Sequence, residues 1–106
     1  MPTNIKTGTV TGTGAAINIS VGFSPDHVIV INDTAGDKLE WFSNMPAGSA
    51  YKRGTAGGGS KIATGGISQF TGSATQQAGF TVGNDAVNTA AQLIRYMATS
   101  NGPGAN

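Results

Sequence analysis

Residues 84–98 read NDAVNTAAQLIRYMA, and how they fold decides the architecture of the chain. Read as a helix, Val87, Ala90, Ala91, Ile94 and Ala98 share one stripe at i, i+3, i+4, i+7 spacing, with Asp85 placed as an N-cap. Read as a strand, only QLIRYMA counts: Leu93, Arg95 and Met97 face one way and Ile94, Tyr96 and Ala98 the other. A lone helix needs a partner face, so the segments before it have to decide.

Those segments read as strands. AINISVGF alternates cleanly, with Ile17, Ile19 and Val21 inward and Asn18 and Ser20 outward. SPD at 24–26 is a turn, Pro fixing φ and Asp capping it. HVIVIN (27–32) is a continuous β-branched run, expected to be buried on both faces. After the turn NDTAGDK, LEWF resumes with Leu39 and Trp41 on one face and Glu40 and Phe42 on the other. From Ser43 to Lys61 the chain loosens into a Gly-rich excursion with one short strand around Tyr51. KIATGGISQF supplies two short strands bent at Gly65-Gly66, and GFTV a brief further one. In that company 84–98 is expected to close the fold as a strand, with a short helical turn near Ala86–Ala91 as the alternative. The whole predicts an all-β fold: a small antiparallel β-sandwich or barrel of seven to eight short strands, with a long Gly-rich loop and an extended N-terminal arm. Residues 1–14 (MPTNIKTGTVTGTG) form the arm or edge strand, 15–99 the single β domain and 100–106 a flexible tail.

The bulk numbers agree with a small β block that gains stability by packing on something else. The chain has 106 residues, of which 17 are Gly, and Leu, Ile, Val and Phe together number only 20. Charged residues make up 10%, against about 25% in ordinary soluble domains. Six basic residues face five acidic ones, which does not mark a nucleic-acid binder. The absence of cysteine rules out a disulfide framework and a thiolate metal site. The first residues lack the basic-then-apolar profile of a signal peptide, and no apolar run approaches the roughly 20 residues that cross a bilayer. Synthesis in a cytoplasm, with no membrane or nucleic-acid partner, is the expectation.

No motif for catalysis or cofactor binding survives inspection. GTAGGGSKI (54–62) looks like a phosphate cradle, but a P-loop needs Gly before the Lys, Ser or Thr after it, and a following helix. Here Ser60 precedes Lys61 and Ile62 follows. His27 is the sole histidine, beside a turn, with only Asp26 and Asp33 as candidate orienting acids for a triad. Asn32, Asp33, Asp37 and Glu40 surround one turn without the order of a calcium loop, and Asp and Asn favour turns for backbone reasons alone. The acceptor patterns NIS (18–20) and NDT (32–34) have no secretion signal beside them. No catalytic residue, cofactor or metal is therefore assigned.

What remains is surface chemistry. Tyr51, Lys52, Arg53 and Lys61 flank the Gly-rich loop and could dock on an acidic neighbour, or simply keep a long loop solvated. Trp41-Phe42 reads as core, and Met45, just beyond, as an exposed apolar contact. Ile5 and Lys6 are the corresponding candidates in the arm.

The order of these segments resembles a family. GFSPDHVIVIN, EWF followed by a Met, GGISQFTG, AGFTVGNDAVN and the closing LIRYMA are similar to segments of small β-sandwich structural proteins of tailed bacteriophages, over roughly Val21 to Ala98. Where that family has a polar Gly turn before its last strand, this chain has NTAAQ. The resemblance implies a non-enzymatic virion component: a capsid decoration (cement) protein that binds the major capsid protein or another virion protein and stabilises the head shell as a homo-oligomer, a trimer favoured. A tail or fibre accessory module is the alternative within the virion. From a different class, a carbohydrate-binding module would use Trp41, Tyr51 or Tyr96, and an enzyme would have to use His27.

Overall fold

In the computed structural model, which describes residues 4–54 and 58–100, the chain is all-β. Its elements are β1 (Asn4–Thr11), β2 (Ile17–Ser20), β3 (His27–Asn32), β4 (Lys38–Phe42), β5 (Ser49–Arg53), β6 (Gly59–Phe70), β7 (Gly79–Val82), a 3-10 turn (Ala86–Asn88) and β8 (Leu93–Ser100). All eight strands belong to one antiparallel sheet in the order β1-β8-β3-β4-β5-β6-β7-β2, curled into a half-barrel.

The curl follows from connectivity. β1 and β2 are neighbours in sequence yet form the two edges of the sheet. Laid flat, the outer strands would lie about 34 Å apart at ordinary strand spacing. The link from Thr11 to Ile17 reaches about 20 Å when fully extended. The edges must therefore approach each other, and the sheet wraps around its own apolar face. Ile19, Val28, Val30, Leu39, Trp41, Ile67, Phe80, Val82, Val87 and Ile94 pack there as one cluster, all but Ile19 and Trp41 without any exposure.

The opening segment fills the gap between the edges. Asp85 caps the 3-10 turn, its Oδ2 accepting the Val87 N–H at 3.0 Å. Asn88, fully buried, donates through Nδ2 to the Ala15 and Gly83 carbonyls and accepts the Thr13 N–H on Oδ1. Gly14 N–H donates to the Asn88 carbonyl, Gly12 N–H to that of Gln92, and Ala91 N–H back to Gly12. Residues 12–16 thus cross over a plug made by 83–92. Beyond the plug, β8 pairs with β1 on one side and β3 on the other. The strand reading of 84–98 therefore holds from Leu93 onward, and the amphipathic helix does not form. The helical turn expected near Ala86–Ala91 is the three-residue 3-10 turn Ala86–Asn88.

Two expectations are corrected and one is extended. β3 is not buried on both faces: Val28 and Val30 are, while Ile29 is half-buried and Ile31 exposed, because a single layer covers only the inner side. The excursion from 43 to 61 contains the expected strand around Tyr51, β5, and ends in the first residues of β6, which pair with it. KIATGGISQF lies in one strand, β6, whose register against β5 jumps between Ser49–Ile67 and Ala50–Ile62. The jump sits at the expected glycine bend. Gly65 has φ +77°, and a Cβ on Gly66 would lie 2.6 Å from the Ser49 carbonyl oxygen.

The arm is an edge strand as far as it is described, with Asn4–Thr11 all paired to β8. Ser100 ends β8 rather than beginning a tail. Residues 1–3, 55–57 and the rest of the expected tail lie outside the described residues.

Candidate functional site

Register alone defines the outer surface of the sheet. Across β1, β8, β3, β4, β5 and β6, one row runs Thr7, Met97, Ile29, Glu40, Tyr51, Lys61. The row toward one end of the strands runs Thr9, Arg95, Ile31, Lys38, Arg53, Gly59, and the row toward the other runs Ile5, Thr99, His27, Phe42. Strand pleating turns these residues away from the core cluster. Six of these sixteen residues of the outer face are large and apolar: Ile5, Ile29, Ile31, Phe42, Tyr51 and Met97. Ile5 is 62% exposed, Tyr51 52%, Phe42 39% and Ile31 37%, with Ile29 and Met97 half-buried among them.

Its charges fall into two kinds. Some are paired: Arg95 Nε meets Asp33 Oδ1 at 3.1 Å, and the His27 Nε2–H donates to Glu40 Oε2 at 2.7 Å. The His27 ring also stacks on Phe42, with centroids 4.7 Å apart and planes 7° from parallel. Lys38, Arg53 and Lys61 form no ion pair among the described residues. These three surround Tyr51 and, with Glu40 and Ser60, line a shallow groove of about 430 Å³.

The structure separates the residues singled out from sequence. Tyr51, Arg53 and Lys61 come together in that groove. Lys52 also lines the groove, but its ammonium is turned inward and paired, with Nζ 2.8 Å from Asp85 Oδ2 and 3.9 Å from Asp37 Oδ2. Met45 is half-buried against the core cluster, its Sδ accepting the Phe42 N–H at 3.4 Å, rather than an exposed contact. Ile5 lies on the outer face and Lys6, the next residue of β1, on the opposite one; both line a second, open cavity of about 710 Å³ with Asn4, Phe23, Asp26 and Gln69. Of the aromatic residues considered for glycans, Trp41 is 2% exposed and Tyr96 packs edge-on to Phe80 at 5.5 Å.

Sequence reasoning missed Phe42, Ile31 and Lys38. Strand alternation was the available signal for all three, since each is the immediate neighbour of a core position, Trp41, Val30 and Leu39 respectively. Read the same way from Tyr51, alternation turns Lys52 away from Arg53.

The chemistry available on this face is therefore contact and charge. His27 is engaged by Glu40 and Phe42. Among the described residues no group of three or more His, Cys, Asp or Glu could hold a metal ion, and no helix is long and apolar enough to cross a membrane. No protein-family model, no curated protein and no solved structure matches the chain.

Proposed function

We propose that this chain is a non-enzymatic structural component of a tailed-phage particle, a decoration (cement) protein that docks on the head shell by the outer face of its sheet. One observation carries the reading. The sheet is a single layer whose second face still bears Ile29, Ile31, Phe42, Tyr51 and Met97 along its central strands. A sheet covered on one side by its own core ordinarily presents alternating polar residues on the other, and apolar side chains gathered on an exposed face mark an interaction surface. Here Met97, Ile29 and Ile31 are neighbours, with Phe42 and Tyr51 set off by His27 and Glu40. The likeness of its segment order to phage β-sandwich proteins supplies the kind of partner, the major capsid protein or a neighbouring virion protein. Modest contacts suffice there, because a shell presents many copies of the docking surface at once. The unpaired side of β1, eight residues long, offers a self-associating edge for a homo-oligomer.

Co-sedimentation of the purified protein with empty head shells of the phage that encodes it tests this. The expected result is saturable binding that weakens at least about tenfold when Phe42→Ser removes an exposed ring from the patch. Protein that stays wholly in the supernatant would refute the reading.

A further inference from the structure

The groove around Tyr51 holds a charge arrangement that folding alone does not favour. Lys38 and Arg53 are direct cross-strand partners on β4 and β5, both on the outer face. Like charges placed opposite each other on a sheet are destabilising. Lys61, the cross-strand partner of Tyr51, adds a third cation one strand further on. The chain has five acidic residues, and among the described residues none forms an ion pair with this cluster. Asp33 is held by Arg95, Asp37 and Asp85 by Lys52, and Asp26 lines the other cavity. Glu40 alone lines the groove, and its Oε2 is engaged by His27 at 2.7 Å.

We propose that this groove receives an acidic segment of the docking partner, two or more Asp or Glu side chains lying against Lys38, Arg53 and Lys61 with an apolar neighbour on the Tyr51 ring. The inference rests on the docking reading above and adds the partner's chemistry. Two observations favour a protein segment over a small oxyanion or an acidic saccharide. The groove is shallow rather than enclosed, and it is bordered by Ile29, Ile31 and Phe42, the apolar rows of the same face. A free anion would leave those residues bare. Arg presents a planar fork that takes a carboxylate through two hydrogen bonds, and Tyr and Arg are the residues enriched where protein partners meet. Association by such a cluster is steered by charge and weakens as salt rises.

The test is a titration of the full chain, followed by backbone amide NMR, with a short Asp/Glu-rich peptide carrying one Leu. A Lys-rich peptide, inorganic phosphate and a sulfated oligosaccharide serve as comparison probes. Saturable, salt-sensitive shifts centred on Lys38, Tyr51, Arg53 and Lys61 with the acidic peptide are expected. Lys38→Glu should weaken that binding by about tenfold or more while raising Tm, because it turns a like-charge pair with Arg53 into an opposite-charge one. Lys61→Glu, which has no such pair, should weaken binding with Tm unchanged. The proposal is overturned if the acidic peptide moves no groove resonance, or if only phosphate or the oligosaccharide does. Shell co-sedimentation separates this failure from that of the docking reading. Loss of shell binding in Phe42→Ser but not in Lys38→Glu or Lys61→Glu would leave docking intact and sink the acidic segment. Peptide binding in the groove by protein that ignores phage shells would do the reverse.

Discussion

The two faces of β3 contain nearly the same chemistry and have opposite fates. Val28 and Val30 point inward and are fully buried, whereas Ile29 and Ile31 point outward, half-buried and exposed respectively. Composition does not separate them; only the strand's period of two does. Inner residues act through the core, so changing them should act on stability. Outer residues meet little of their own chain, so changing them should act on what the protein touches. If that division is right, neighbouring positions in one strand will give effects that differ several-fold.

The largest effect is expected at Phe80, fully buried and packed against Tyr96. Phe80→Ala should cost about 3–5 kcal/mol through lost burial and the cavity left behind. In a chain with so few large apolar residues, that is a substantial part of a total stability on the order of 5–15 kcal/mol. Urea denaturation followed by Trp41 fluorescence measures it. A loss below about 1 kcal/mol would show that the concave side is not where the core lies.

The adjacent cations Lys52 and Arg53 sharpen the comparison. Lys52 sits between Asp85 and Asp37, whose side chains are 12% and 4% exposed, and Asp37 Oδ1 has no hydrogen-bond partner among the described residues. Lys52→Met would leave two poorly solvated carboxylates without their counter-ion, at a cost of about 3 kcal/mol. It would also loosen the plug, because Asp85 caps the 3-10 turn. Arg53→Met, one position on and outward, should change stability by no more than about 0.5 kcal/mol. Equal losses in the two variants would contradict the placement of these side chains on opposite faces.

This pair also shows how far the sequence could be read. The strands around Ile17–Val21, His27–Asn32 and Leu39–Phe42 were legible because alternation and turn residues agree there. Residues 84–98 were ambiguous for a physical reason: the segment performs two jobs, and Ala-rich spacing that suits a helix also suits a plug followed by a strand. The β5–β6 pairing was hidden by glycine: Gly59 and Ser60, which open β6 opposite Arg53 and Lys52, carry little strand propensity of their own and pair because β5 presents a ladder to them. YKR looked like one cationic cluster because the eye groups neighbours in sequence. The pleat turns Lys52 inward between its two neighbours, and the third outward cation of the groove, Lys38, comes from the start of β4, 13 residues before Tyr51.

The smallest expected difference is the most demanding test, because it compares near-identical substitutions at adjacent positions. Val30→Thr keeps the shape of the side chain but places a hydroxyl among Leu39, Tyr96 and the rest of the core, where Val30 has no exposure. Without a hydrogen-bond partner that hydroxyl should cost about 1–3 kcal/mol. Ile31→Thr removes more apolar surface, yet from a side chain already 37% exposed and flanked by the long stems of Lys38 and Arg95. Its hydroxyl stays in contact with water, and Thr retains the β-branching that suits a strand, so the loss should stay below about 0.5 kcal/mol. The order reverses for docking: Ile31→Thr should weaken shell binding and Val30→Thr, under conditions where it remains folded, should not. Urea midpoints of the two variants give the first ordering and co-sedimentation gives the second. A protein in which both orderings ran the same way would not divide its labour between the two sides of one sheet, and the outer rows would then be part of its core.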